Sequence, residues 1–375
     1  MEQDQLKKWR QELHRIPELG FDLPETSEYI RRALTELGYE PVRTATSGWI
    51  AVEPGKSREA VALRADMDGL EVTEETGLSY ASNHAGRMHA CGHDGHMAML
   101  LGLARWLKEQ PTPEKTVVLI FQPAEEGPGG ARVIVESGIL DERNVQSIYG
   151  FHLYPGLPEG TLGLKEGPLM ARSCEFDIAI AGRGSHAGQP QLGNDALLAG
   201  AKVIEGVQSI IARFQDPLKP LVINIGTMAA GTARNVVAEE ATLTGTIRCY
   251  DEASFNNAAE RLHSVVNGAG EMTGTKIELT LRPFYPEVTN DPVLVQRLKD
   301  VLAEDDWVTL DPLMLSEDFS YYQEKYAGVF LLLGTRQEDP GFIHPLHNAR
   351  FNFDERVLSQ GVKYYQAILK AEGLW

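Results

Sequence analysis

The densest run of chemically active side chains is His89-Ala90-Cys91-Gly92-His93-Asp94-Gly95-His96. Cys91 and His93 stand two residues apart and can both address one centre from an extended loop. A thiolate, imidazoles and carboxylates together suit zinc and other borderline divalent cations, and suit Mg²⁺ or Ca²⁺ poorly. Cysteine alone reads as a small buried hydrophobe; histidines on both sides make a metal site the better reading. A second run, Phe121-Gln122-Pro123-Ala124-Glu125-Glu126-Gly127-Pro128-Gly129-Gly130, sets paired glutamates after an apolar stretch. Adjacent residues of an extended segment point to opposite sides. One carboxylate can therefore ligate a cation while the other faces water. A cation lowers the pKa of water towards about 7, and the free carboxylate takes that proton and later gives it to a leaving amine. This is a hydrolase pattern.

The groups need a scaffold that brings them together. Strand-like runs at 60–64, 116–121, 147–153 and 329–333 alternate with helical ones at 97–108, 131–136, 292–303 and 357–371, after a helical start over 6–37 broken by a turn at 15–20. This alternation predicts an α/β fold with a mainly parallel sheet flanked by helices. Asp66-Met67-Asp68 follows the first strand, Glu125-Glu126 the second by four residues, His152 ends the third, and His344 and His347 follow the last. Ligand sites gather outside the carboxyl ends of parallel strands, so these clusters converge on one rim, with the 89–96 loop opening the helix at Met97. Between them the texture changes. Strands at 175–181, 221–228 and 241–249 with helices at 195–214 and 253–267 predict a small α+β domain inserted over 173–284, leaving 1–172 plus 285–375 as the first domain.

The 375 residues carry 53 acidic against 35 basic side chains, a formal charge of -18. That balance argues against nucleic acid or an anionic membrane as partner. Three scattered cysteines, Cys91, Cys174 and Cys249, imply no disulfide framework. The polar, acidic start lacks a signal-peptide pattern, and no apolar run reaches the roughly 18–20 residues that span a bilayer. A cytoplasmic address is expected.

Several motifs carry a family likeness: 13–20 (Leu-His-Arg-Ile-Pro-Glu-Leu-Gly), Leu63-Arg64-Ala65-Asp66-Met67-Asp68, 88–97, 121–131, Gly182-Arg183-Gly184-Ser185-His186-Ala187, Gly231-Thr232-Ala233-Arg234-Asn235-Val236 and Gly245-Thr246-Ile247-Arg248. On these the sequence resembles the amidohydrolase branch of the co-catalytic metallopeptidases related to aminoacylase and glutamate carboxypeptidase. That branch includes hippurate hydrolases, auxin-conjugate hydrolases and N-acetyldiaminopimelate deacetylases. The resemblance implies a zinc-peptidase-like catalytic domain with an inserted lid and dimerisation domain, hence a homodimer. It makes Cys91, His93, Glu126, His152 and His347 ligands of two divalent ions (zinc, manganese, nickel or cobalt), with Cys91 bridging. It gives Glu125 the general acid/base role and Asp66 the support of the metal centre. His344 is the rival for His347. Where the wider family has His-x-Asp, this chain has Arg64-Ala65-Asp66, so that ligand is gone and Cys91 with His93 must compensate.

The same resemblance implies that His186 and Asn235 contact substrate, the histidine reaching the active site of a partner subunit. Arg234 or Arg248 would grip the substrate carboxylate, since a guanidinium fork matches it. Gln191 after Pro190, and Met314-Leu315-Ser316 before Glu317-Asp318, depart from the common pattern near the substrate. His14, His84 and His263 are expected at the surface. The function implied is hydrolysis of N-acyl-L-amino acids with an N-acetyl or aromatic acyl group. N-acetyldiaminopimelate deacetylation in lysine biosynthesis is the more specific alternative, and a non-catalytic two-domain binding protein the other.

Overall fold

Ala-Val-Ala-Leu-Arg-Ala-Asp, the strand Ala60–Asp66, is buried along its whole length. A strand can hide both faces only where helices cover both sides of its sheet. In the computed structural model, which describes residues 3–339 and 341–375, it lies between two parallel neighbours, Thr116–Gln122 and Val145–Pro158. Ala327–Arg336 continues the parallel set beside Val145–Pro158. Antiparallel strands flank this core, Gly48–Glu53 at one side and Leu162–Leu164 at the other, and two short strands complete an eight-stranded sheet. The helices Gln3–His14, Pro24–Glu36, His93–Lys108 and Arg356–Ala371 pack on it in one core that includes Leu13, Leu34, Leu100, Leu119, Leu331 and Tyr365.

This sheet and its helices form the larger of two compact units: residues up to Leu169, Thr289–Asp311 and Asp318–Trp375. The smaller unit is Met170–Val288 with Pro312–Glu317. It has its own four-stranded antiparallel sheet, in the order Leu221–Ala230, Glu240–Cys249, Arg172–Ala181, Lys276–Pro283. Helices Ala196–Ser209 and Glu252–Thr273 share its core with Phe176, Ile178, Leu243 and Leu262. Asp195 and Asp251 cap these helices, accepting from Leu197 and Leu198 N–H and from Ser254 N–H, as short acidic side chains do best. The strand Lys276–Pro283 was not among the expected ones, although its Lys-Ile-Glu-Leu-Thr-Leu alternation is strand-like. Among the described residues no helix is long and apolar enough to cross a membrane.

Three expectations are corrected. The helix expected from Met97 starts at His93, because Gly92 takes a left-handed φ of 84° at its cap and lets the chain turn straight into the helix. His93 therefore sits on the first helical turn and not in an extended loop. His152 lies inside its strand, not at its end, since Val145–Pro158 runs six residues further. His14, expected at the surface, is buried. Its Nδ1 is 2.8 Å from Asp94 Oδ2 and its Nε2 3.3 Å from Glu74 Oε1, and Arg10 Nε donates to the same Asp94 oxygen at 3.1 Å. This knot ties the first helix to the first turn of the helix that carries His93. His84 is half-buried, its Nδ1–H donating to Pro17 O at 2.9 Å, and His263 is exposed.

Burial alone would raise the Glu74 carboxyl, but His14, the Ser82 N–H and the Thr76 hydroxyl hold it at about 2 against an ordinary 4.5. A depressed carboxyl stabilises the fold above its unfolded pKa and loses that contribution as pH falls towards its folded one. The urea midpoint should therefore drop between pH 4.5 and about 2, and Glu74→Gln should flatten that slope. An unchanged slope in the variant contradicts the knot.

Candidate metal centre

The carboxyl ends of the parallel strands collect buried charge. Arg64 is fully buried, and its guanidinium donates to Asp66 Oδ2 (2.7 Å), Asp318 Oδ1 (2.8 Å) and Gln122 Oε1 (2.8 Å). Gln122 in turn donates to Asp318 Oδ2 at 2.8 Å, and the Ala131 N–H reaches the same oxygen at 2.9 Å. Arg64 is thus locked between two buried carboxylates and an amide oxygen. A guanidinium cannot ligate a cation, and here it neutralises the carboxylates of Asp66 and Asp318.

Asp66 holds its other partner, His96, through Oδ1 and Nδ1 at 2.6 Å. Leu153 N–H donates to His96 Nε2 at 2.9 Å, so that nitrogen accepts and the proton sits on Nδ1. Burial opposes ionisation of Asp66, yet His93, His96 and Arg64 keep its carboxyl well below the usual range. The sequence places His96 in the 89–96 run without giving it a role of its own.

Five side chains from distant stretches approach one another above this base. Cys91 Sγ is 3.3 Å from His152 Nε2 and 3.3 Å from His347 Nε2. His347 Nε2 lies 3.2 Å from Glu126 Oε1. Donor atoms of Cys91, His93 and His152 lie within 4.8 Å of one another, and so do those of Cys91, Glu126 and His347, and of His93, Glu125 and Glu126. The sulfur is common to the first two sets. His347 takes a left-handed φ of 63° and is held by its N–H to Ala90 O at 2.9 Å; a non-glycine residue adopts this only where its surroundings dictate it. His344, its rival, enters none of these groups.

The rings are oriented from behind, as in metal sites generally. His93 Nδ1–H donates to Asp68 O at 2.8 Å and His152 Nδ1–H to Leu153 O at 2.7 Å. Both Nε2 atoms then face the cluster, and the buried His93 Nε2 has no hydrogen-bond partner. Burial would lower the pKa of His93, but Asp66, Asp68 and Glu126 raise it to about 10. The site thus draws positive charge. Burial, aided by His96, pushes His152 well below its ordinary value, and burial with Glu126 and Glu125 pushes the Cys91 thiol well up. An orphaned imidazole nitrogen, a thiol, a second imidazole and a carboxylate are a donor set that fits divalent cations.

Glu125 is buried beside this set, its Oε2 3.9 Å from His93 Nε2. Asp68, to which the sequence reading gave no role, accepts the Glu125 N–H at Oδ1 (3.0 Å) and the Glu126 N–H at Oδ2 (3.1 Å). His186, Asn235 and Arg234 lie in the smaller unit, where all three are exposed. His186 pairs with Val236 across a two-stranded ladder, and Ala187 N–H donates to Asn235 O at 3.0 Å, which sets the two polar residues side by side. Arg248, the other expected carboxylate grip, is committed elsewhere: its Nη1 donates to Met314 O at 3.0 Å and Ser316 Oγ at 3.3 Å.

Comparison with known proteins adds an independent line. The model of peptidase family M20/M25/M40 matches residues 62–371. N-acetyldiaminopimelate deacetylase of Bacillus subtilis (strain 168) is 37% identical over 368 residues, covering 96% of this chain and 97% of the relative. IAA-amino acid hydrolase ILR1-like 4 of Arabidopsis thaliana is 36% identical over 371 residues, covering 96% and 83%. Among solved structures, the Bacillus subtilis YXEP protein, described as a dinuclear metal binding peptidase from the M20 family, superposes with a TM-score of 0.85 at 34% identity, covering 99% of this chain and 98% of that one.

Ligation requires the raised Cys91 thiol to lose its proton, and His93 the proton it holds up to about pH 10. Affinity for Zn²⁺, measured by chelator competition, should therefore rise between pH 6 and 8 by at least about tenfold per unit. A flat profile contradicts this donor set.

Proposed function

This chain belongs to peptidase family M20/M25/M40, and from that premise we propose that it deacetylates N-acetyldiaminopimelate. The coarser activity, metal-dependent hydrolysis of an amide, goes with the family and with its deacetylase-named relatives. The finer substrate rests on the near full-length similarity to N-acetyldiaminopimelate deacetylases. A second reading, cleavage of N-acyl amino acids with an aromatic acyl group, is supported by the Arabidopsis thaliana relative named for IAA-amino acids.

The observation that carries the chemistry is the approach of Glu125 to a convergent donor set. In this proposal Cys91, His93, Glu126, His152 and His347 would hold two divalent cations. Bound there, the cations would supply Lewis-acid polarisation of the scissile carbonyl and a lowered pKa for the attacking water. Glu125 takes a proton from that water as its oxygen bonds to the acyl carbon. The same carboxyl then delivers the proton to the amide nitrogen as the C–N bond breaks, leaving an amine and a carboxylic acid, which loses its remaining proton to solvent. Asp66 acts from behind, through His96 and Arg64. From the smaller unit, His186, Asn235 and Arg234 are assigned to the substrate, with Arg234 gripping its carboxylate, and the functional form is assigned as a homodimer.

Glu125→Gln should keep the metal content of the wild type and lower kcat by about 10²–10⁴; full turnover with metal bound removes Glu125 from its role. In parallel, a panel of N-acetyldiaminopimelate, simple N-acetyl amino acids and IAA-amino acids should give the highest kcat/KM for the first. A clear preference for the IAA conjugates favours the second reading.

A further inference from the structure

We infer that Asp68 is the positioning residue of the acidic turn. Its two carboxylate oxygens hold the consecutive N–H groups of Glu125 and Glu126, and so fix which glutamate shuttles the proton and which faces the cations. This rests on the roles proposed above for the two glutamates.

Neighbouring peptide N–H groups diverge in an extended chain and converge only where the backbone folds into a concavity around an anion. Here the anion is supplied by the chain itself. Ala124, just before the pair, takes a left-handed φ of 58°, and Gly127, just after it, one of 130°. Between these bends the Glu125 N–H donates to Asp68 Oδ1 at 3.0 Å and the Glu126 N–H to Oδ2 at 3.1 Å. The far side of the turn is closed by Gly129 and Gly130 N–H, both donating to Ala124 O at 3.0 Å. Those bonds shape the loop, whereas the Asp68 bonds hold the two glutamate peptides themselves.

Asp68 is well placed for this duty. It lies two residues beyond Asp66, the last residue of a fully buried strand, and is only 1% exposed. Its backbone carbonyl accepts the His93 Nδ1–H at 2.8 Å. One residue thus sets the plane of an imidazole with its carbonyl and the orientation of two carboxylates with its side chain. A carboxylate oxygen of each glutamate lies within 4.8 Å of the other's and of a His93 ring nitrogen, so a rotation of the 124–126 backbone would swing both at once. Displacements of about 1 Å at such groups cost on the order of 100-fold in rate.

The test uses amide hydrogen exchange of the full chain without metal, alongside steady-state kinetics of the metal-loaded enzyme. In the wild type the Glu125 and Glu126 amides should exchange slowly. Asp68→Asn keeps the shape but turns one acceptor into a donor facing a peptide N–H. Exchange at the pair should then quicken by about 10–100-fold. The kcat of this variant should fall by about 10–100-fold, with KM changed less than about threefold. Asp68→Glu keeps both acceptor oxygens and should recover part of each loss, which a general weakening of the fold would not. Fast exchange of the two amides in the wild type overturns the inference, and that result needs no variant to fold. So does an Asp68→Asn enzyme that keeps kcat, or one that loses it with exchange at the pair unchanged. Turnover retained by Glu125→Gln would remove the general base yet leave the exchange prediction standing, so the two failures are distinguishable.

Discussion

A buried carboxylate is tolerable only against a cation or a row of hydrogen-bond donors. Four aspartates at the carboxyl edge of this sheet obey that constraint, and their partners define the site. Asp66 faces Arg64 and His96; Asp68 faces two consecutive peptide N–H groups; Asp94 faces Arg10 and His14; Asp318 faces Arg64, Gln122 and the Ala131 N–H. Each solution ties two or more distant stretches of chain together. Above them Cys91, His93, Glu126, His152 and His347 crowd their donor atoms together, and the buried Nε2 of His93 makes no hydrogen bond; divalent cations fit such a set.

The same constraint explains the departure at Arg64. The resemblance expects a histidine ligand at this position, and the position is not empty. A permanent cation enters it and pairs with Asp66 and Asp318, which would otherwise repel each other across the sheet. In the proposed centre, ligation falls to residues reached from the first turn of the His93–Lys108 helix, from within the Val145–Pro158 strand and from the loop after Ala327–Arg336. Division of labour between a buried support and a ligating layer follows from where the charges lie, not from the ligands alone.

Much of this was legible in the sequence. Apolar runs such as 60–64 and 116–121 announced buried parallel strands, and the rule that ligands gather at their carboxyl ends placed Asp66, Glu125, His152 and His347 near one rim. His14 was misread because no local pattern says that a histidine will meet Asp94, eighty residues on. Asp68 was missed for a related reason. Its partners are backbone N–H groups of another loop, and peptide groups leave no trace in residue identity. The helix start at His93 turned on the left-handed conformation of Gly92, which a Gly-His-Asp run does not distinguish from a loop. Nor does the sequence show that Arg248 donates to Met314 O and Ser316 Oγ.

The central proposal is that the side chains meeting at Cys91 Sγ hold two divalent cations. Anomalous diffraction from crystals of the zinc-loaded protein, recorded on both sides of the metal's absorption edge, tests this most directly. Two anomalous peaks per chain should flank Cys91 Sγ, each about 2.3 Å from it, one near His93 and His152, the other near Glu126 and His347. A lone peak, or a pair that leaves the sulfur unligated, would contradict it.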